Sequence, residues 1–158
     1  MMIMNPYYTL KVILNNHSLA DLKEIGKSIS IKKYYNMKKD DLITAISDHI
    51  LDENNLQMCF LVANDKDIEA FELALKGREY VDNPYLYRYW VDLFLAFITT
   101  DGEVHIPLEV KKQYLRIKKL KKYQKARERT RIINSYALAC TNLYSVIDVK
   151  KLVEIINS

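Results

Sequence analysis

The sequence predicts an all-α fold of seven or eight helices with one short β-hairpin near residues 98–106. Three observations carry this. Apolar residues recur at three- and four-residue spacing along most of the 158 residues, the period of a helix with one buried face. Short polar residues suited to helix N-caps precede several of those stripes. Only three Gly and three Pro are present, too few for the turns of an all-β fold. With 49% hydrophobic residues the chain can build a real core, and its length suits one domain or a small lobe joined to a larger one. The expected division is a small helical lobe over 1–50 and a larger one over 51–158.

The first 17 residues show little periodicity. Ser18 reads as an N-cap, with Asp21 placed to reach back to the cap amides. Leu19, Leu22, Ile25 and Ile29 follow at helical spacing, and Ile31–Tyr35 reads as an extended link. Asn36 is the expected cap of a second helix whose inner face is Leu42, Ile43, Ile46 and Ile50. Asp40 and Asp41 lie in its first turn, where the helix dipole favours them. Further helices are expected over about 52–63 and from Asp65 to a C-cap at Gly77. Pro84 opens another, running to about Ile98 and rich in Tyr and Trp. Most of Tyr85, Tyr87, Tyr89 and Trp90 are expected in the core, with one or two exposed. Asp101-Gly102 is a hairpin signal. Acids at that tip, Asp101 and Glu103, argue against a nucleic-acid-binding wing. Pro107 opens the next helix. From Lys122 a 3–4 seam runs through Tyr123, Ala126, Thr130, Ile133, Ala137, Cys140 and Tyr144, expected to pack inside the domain. Asp148 is the expected cap of a final helix.

The segment SLADLKEIGKSISIKKYYNMKKDDLITAI resembles the small helix–extension–helix unit at the N-terminus of the transcription terminator Rho. It is also similar in outline to SAP-type nucleic-acid modules. The points of likeness are Asp21-Leu22, Ile25-Gly26, Ile31, Met37-Lys38-Lys39, Asp41-Leu42-Ile43 and Ala45-Ile46. These are mostly core positions, so the resemblance implies chiefly a fold over residues 18–50. The tail YALACTNLYSVIDVKKLVEIIN resembles the middle of uncharacterised proteins of low-GC bacteria that begin with a Rho-like unit.

Charge carries the main functional signal. Eleven of the 24 Lys and Arg residues lie in 111–131: Lys111, Lys112, Arg116, Lys118, Lys119, Lys121, Lys122, Lys125, Arg127, Arg129 and Arg131, with Glu128 the one acid among them. That window carries +10 and the rest of the chain −6, which together give the net +4. A positive segment on a mildly acidic body points to a polyanion or an acidic protein surface. On one helix through 111–131, Lys118, Lys122, Lys125 and Arg129 would share a face, with Lys112, Arg116 and Lys119 in a neighbouring row. The bland alternative is a solvated helix face. A second cluster, Lys32, Lys33, Lys38 and Lys39, surrounds Tyr34 and Tyr35. Basic residues interleaved with aromatics can hold single strands. The competing and favoured reading packs Tyr34 on its own unit and leaves the lysines solvated.

No catalytic or metal-ligating residues are expected. His17, His49 and His105 are scattered, without the spacing of a zinc site. Asp65, Asp67 and Glu69 lack the Gly and distal Glu of a calcium loop. No phosphate loop, GxSxG or dinucleotide fingerprint occurs, so no cofactor is expected. Cys59 and Cys140 read as two buried thiols of a reducing compartment. The longest apolar run, Leu93–Ile98, is too short to span a bilayer, and a bacterial cytoplasmic location is expected. Lys outnumbers Arg by 18 to 6, a bias of AT-rich genomes, phages among them. The leading function is non-catalytic binding to nucleic acid or a nucleoprotein complex. The alternative is a phage- or mobile-element-encoded inhibitor of a host nucleic-acid-processing enzyme, such as a CRISPR nuclease. A third class is an enzyme of unrecognised type.

Overall fold

A computed structural model describes residues 9–76, 84–100, 102–144, 150 and 153–154; side chains are described within 9–76, 85–100, 102–139, 150 and 153–154. Among them are eight α-helices: α1 Leu10–Asn15, α2 Leu19–Ser28, α3 Lys39–Ile50, α4 Glu53–Val62, α5 Asp65–Leu75, α6 Arg88–Asp92, α7 Leu108–Ile117 and α8 Lys121–Tyr144. One antiparallel hairpin pairs β1 Phe97–Ile98 with β2 Val104–His105. The described residues form an all-α fold with one short hairpin, as the sequence predicts. The chain divides into two compact units, Met1–Ile117 and Lys118–Ser158.

In the first unit, α3 packs on both α1 and α2. Leu10, Leu14, Leu22, Ile25, Leu42, Ile43, Ile46 and Ile50 are buried. The expected α3 stripe faces inward throughout, whereas of the α2 stripe Leu22 and Ile25 are buried, Ile29 is half-buried and Leu19 is 40% exposed. Ser18 and Asp21 form the capping box at α2. The Ser18 amide donates to Asp21 Oδ2 at 3.1 Å and the Asp21 amide to Ser18 Oγ at 3.2 Å. A second core gathers α4 to α7. Phe60 and Phe71 lie ring to ring at 5.0 Å, and each also meets Trp90 and Tyr114, at 4.5 to 5.1 Å. Offset and edge-on aromatic contacts of this kind add to simple burial. The polar ends are satisfied: Trp90 Nε1 donates to the Asp67 carbonyl at 2.7 Å, and Tyr114 Oη to Glu72 Oε1 at 2.6 Å. Trp90 and Tyr87 are buried and Tyr85 is exposed.

Asp52 caps α4 and Asn64 caps α5, each accepting an amide three residues on. Asp65 and Asp67 sit in the first turn of α5 as dipole-favoured acids. At the hairpin, Thr99 and Glu103 bracket a tight turn in which Gly102 has φ +82°, a conformation that suits glycine.

Several expectations are corrected. The first residues are not aperiodic throughout: Thr9 caps α1, and Leu10 and Leu14 are buried one turn apart. The stretch Ile31–Tyr35 is not extended. Ser30 and Lys33 take left-handed φ of +61° and +59° and fold it into turns ending in a 3-10 turn at Tyr34–Asn36. Asn36 therefore lies inside that turn, and Lys38, with no side-chain cap, occupies the N-cap position of α3. The helix from Pro84 does not reach Ile98. A 3-10 turn over Pro84–Tyr87 leads into α6, which ends where Phe94 takes φ +59°. There the Leu95 amide donates to the Trp90 carbonyl and the Phe94 amide to that of Val91, the pairing of a Schellman C-terminus.

A further correction concerns the basic segment, which is not one helix. Residues 118–120 interrupt it between α7 and α8. The buried stripe of α7 is Val110, Tyr114 and Ile117. Its continuation at 121, 124 and 128 would be Lys, Gln and Glu, so no apolar face carries the helix onward in that register. Gln124 secures the break: its amide donates to the Leu120 carbonyl and its Nε2 to that of Lys118, both at 3.0 Å. The expected α8 seam is not core throughout. Ala126, Thr130 and Ala137 are half-buried, whereas Ile133 is 44% exposed. Cys140 and Tyr144 lie outside the described side chains, and Gly77, Asp101 and Asp148 outside the described residues.

Candidate nucleic-acid interface

The α2–α3 connection is built on Gly26. A Cβ there would lie 3.2 Å from Tyr34 Cβ and 3.2 Å from Leu42 Cδ1, so the missing side chain lets Tyr34 sit against α2. Tyr34 is half-buried and meets Tyr35 edge-on, centroids 5.6 Å apart and planes at 85°. Tyr35 is 59% exposed. Around it Lys32, Lys33 and Lys38 are exposed. Lys39 is committed elsewhere: its Nζ donates to the Asn15 carbonyl at 2.7 Å, at the C-terminal end of α1, where a cation suits the dipole.

The cations of α7 divide in the same way. Lys111 is half-buried, and its Nζ reaches the Leu75 carbonyl at 3.3 Å, in the last turn of α5. Arg116 pairs with Glu53 in the first turn of α4. Lys112 is exposed. Two of the three expected α7 contacts thus hold the first unit together. Sequence had no signal for this, since Glu53 and Leu75 lie 63 and 36 residues away.

In the second unit Lys118 and Lys119 lie in the turn and are exposed, so the expected row of four on one helix loses Lys118. Lys122, Lys125 and Arg129 remain on α8 at i, i+3 and i+7, and Lys121 joins them at the helix start. All four are exposed. Arg127 is half-buried, and Arg131 lies 3.9 Å from Glu128. Farther along the same face come Ile132 and Tyr136, each 47% exposed.

Residues 14–52 match the family model of the Rho termination factor, N-terminal domain. The match covers the end of α1, all of α2 and α3, and stops at the cap of α4. In this Rho-type unit Leu22, Ile25, Gly26, Leu42, Ile43 and Ile46 are buried, Ile31, Met37 and Ala45 are half-buried, and the lysines lie outside the core. The match points to a nucleic-acid-related function. No curated protein and no solved structure matches the chain.

Other chemistry is sparse. Cys59 is half-buried rather than buried, and that burial pushes its thiol above its ordinary value. Among the described residues no three His, Cys, Asp or Glu side chains gather as a metal site, and no helix is long and apolar enough to cross a membrane.

Proposed function

We propose that the chain is a non-catalytic binding protein that docks on nucleic acid, or on a nucleoprotein complex, through the basic face at the start of α8. One observation carries this reading: Lys121, Lys122, Lys125 and Arg129 are all exposed on one side of the first nine residues of α8, whose first turn holds no acid. Cations at a helix N-terminus oppose its dipole, and like charges a turn apart repel. Each effect costs a few tenths of a kcal/mol or more. A polyanion offsets both, with release of condensed counterions. The Rho-type unit supports the same partner class.

A protein partner is the second reading, favoured by the exposed Ile132 and Tyr136 that extend the face beyond its cations. In that role the chain is an inhibitor or adaptor that meets an acidic groove of a nucleic-acid-processing enzyme.

The test is charge reversal of Lys121, Lys122, Lys125 and Arg129 to Glu. Binding to nucleic acid should be lost while the melting temperature holds. For the native chain log affinity should fall with log salt at a slope of about −3 if four phosphates are contacted. Binding indifferent to salt and to the reversal would remove the nucleic-acid reading. A nuclease-resistant partner lost in the same variant would establish the protein-directed one.

A further inference from the structure

The α8 face leaves the surface of the Rho-type unit unused. There the turns between α2 and α3 hold one tyrosine in and display the next. Tyr34 is anchored over Gly26, and its ring meets the edge of Tyr35, which is 59% exposed. Lys33 beside them takes φ +59°, a left-handed conformation disfavoured by roughly 1–2 kcal/mol for residues with a Cβ. Glycine or asparagine would fit better. A strained residue retained at an exposed turn is a reason to look for use there.

The chemistry around Tyr35 is selective in what it offers. Lys32, Lys33 and Lys38 are exposed and near in sequence, while Lys39 is excluded because its ammonium holds the Asn15 carbonyl. The nearby acids, Asp40 and Asp41, belong to the first turn of α3. A displayed aromatic face takes an unpaired base by stacking, and flanking ammonium groups take its phosphates. A paired base inside a duplex has no free face to give. We propose that the α2–α3 connection is a second contact specific for single-stranded nucleic acid, with Tyr35 stacked on an unpaired base and Lys32, Lys33 and Lys38 on the adjoining phosphates. The inference rests on the nucleic-acid reading above and specifies the strand state that this unit selects.

The experiment measures binding of the full chain to short mixed-sequence RNA and DNA single strands and to the matching DNA duplex. Tyr35→Ala should weaken single-strand binding roughly 5- to 150-fold and leave duplex binding unchanged, while Tyr35→Phe retains affinity. Replacing Lys32, Lys33 and Lys38 by Gln should reduce the single-strand salt slope by about 2. Unchanged emission from Trp90, the one tryptophan, shows that each variant is folded. Single-strand affinity indifferent to Tyr35→Ala, or equal loss on the duplex, overturns this contact while leaving the α8 face standing. Sensitivity to Tyr35→Ala with indifference to the α8 reversal does the opposite. A chain that binds none of the three probes overturns both.

Discussion

Glu109, in the first turn of α7, holds the first amide of α1: its Oε2 accepts from the Leu10 N–H at 3.1 Å, across 99 positions of chain. The first amides of a helix have no partner inside it. Thr9 satisfies the Val12 amide, and Glu109 satisfies that of Leu10. Through this bond α7 anchors the helix that packs on the Rho-type unit.

Glu109→Ala should therefore destabilise the first unit by about 1–3 kcal/mol, the range for a charge-assisted bond to a partly buried amide. Hydrogen exchange should show the loss first in α1, at Leu14 and Ile13. A global loss with no excess exchange in α1 would mean the bond is not what holds that helix.

Ser47 should respond in the opposite direction. It lies on the inner side of α3, 1% exposed, and its hydroxyl has no hydrogen-bond partner among the described residues. An unsatisfied buried hydroxyl costs about 1–3 kcal/mol, and alanine is the better helix former. Ser47→Ala is expected to raise the melting temperature by several degrees. A lower melting temperature would show that the hydroxyl has a partner.

The α2–α3 connection predicts a pair of opposite effects. Gly26→Val should destabilise by about 1–3 kcal/mol, because the added carbons meet Leu42 and Tyr34 in a packed interior. Ser30→Gly should stabilise by about 1 kcal/mol, because Ser30 ends α2 at φ +61° where glycine carries no strain. Urea melts of the two variants read both signs directly.

The capping box predicts a pH dependence. The Ser18 hydroxyl, and then the Ser18 amide, hold the Asp21 carboxyl below its ordinary value. A carboxyl lowered on folding contributes stability above the unfolded value, and that contribution is lost as pH falls through the folded value. Asp21→Ala should therefore melt earlier than the native chain at neutral pH, and the gap should close in acid below the usual carboxylate range. A gap independent of pH would show that the carboxylate charge plays no part.

Local patterns were legible where a segment's own spacing decides its structure. Ser18 and Asp21 are three residues apart, so their capping box reads directly from the chain. Leu22, Leu42 and Ile46 lie on stripes whose period matches the helix, and burial follows the stripe. The resemblance to the Rho unit rested on such core positions, and residues 14–52 match it. The clustering of positive charge at 111–131 is likewise a property of sequence alone.

Which basic side chains are taken up by partners within the protein is decided by tertiary structure. Lys39, Lys111 and Arg116 look like their neighbours in sequence, yet each meets a carbonyl or carboxylate brought near by packing. The break at 118–120 arises because the buried face of α7 ends at Ile117 and Gln124 turns back onto Lys118. The display of Tyr35 beside a packed Tyr34 depends on Gly26 approaching Leu42. Hydrophobic period and capping are short-range and therefore written locally, whereas the partner of a flexible Lys or Arg side chain is set by which helix ends the fold places within its reach.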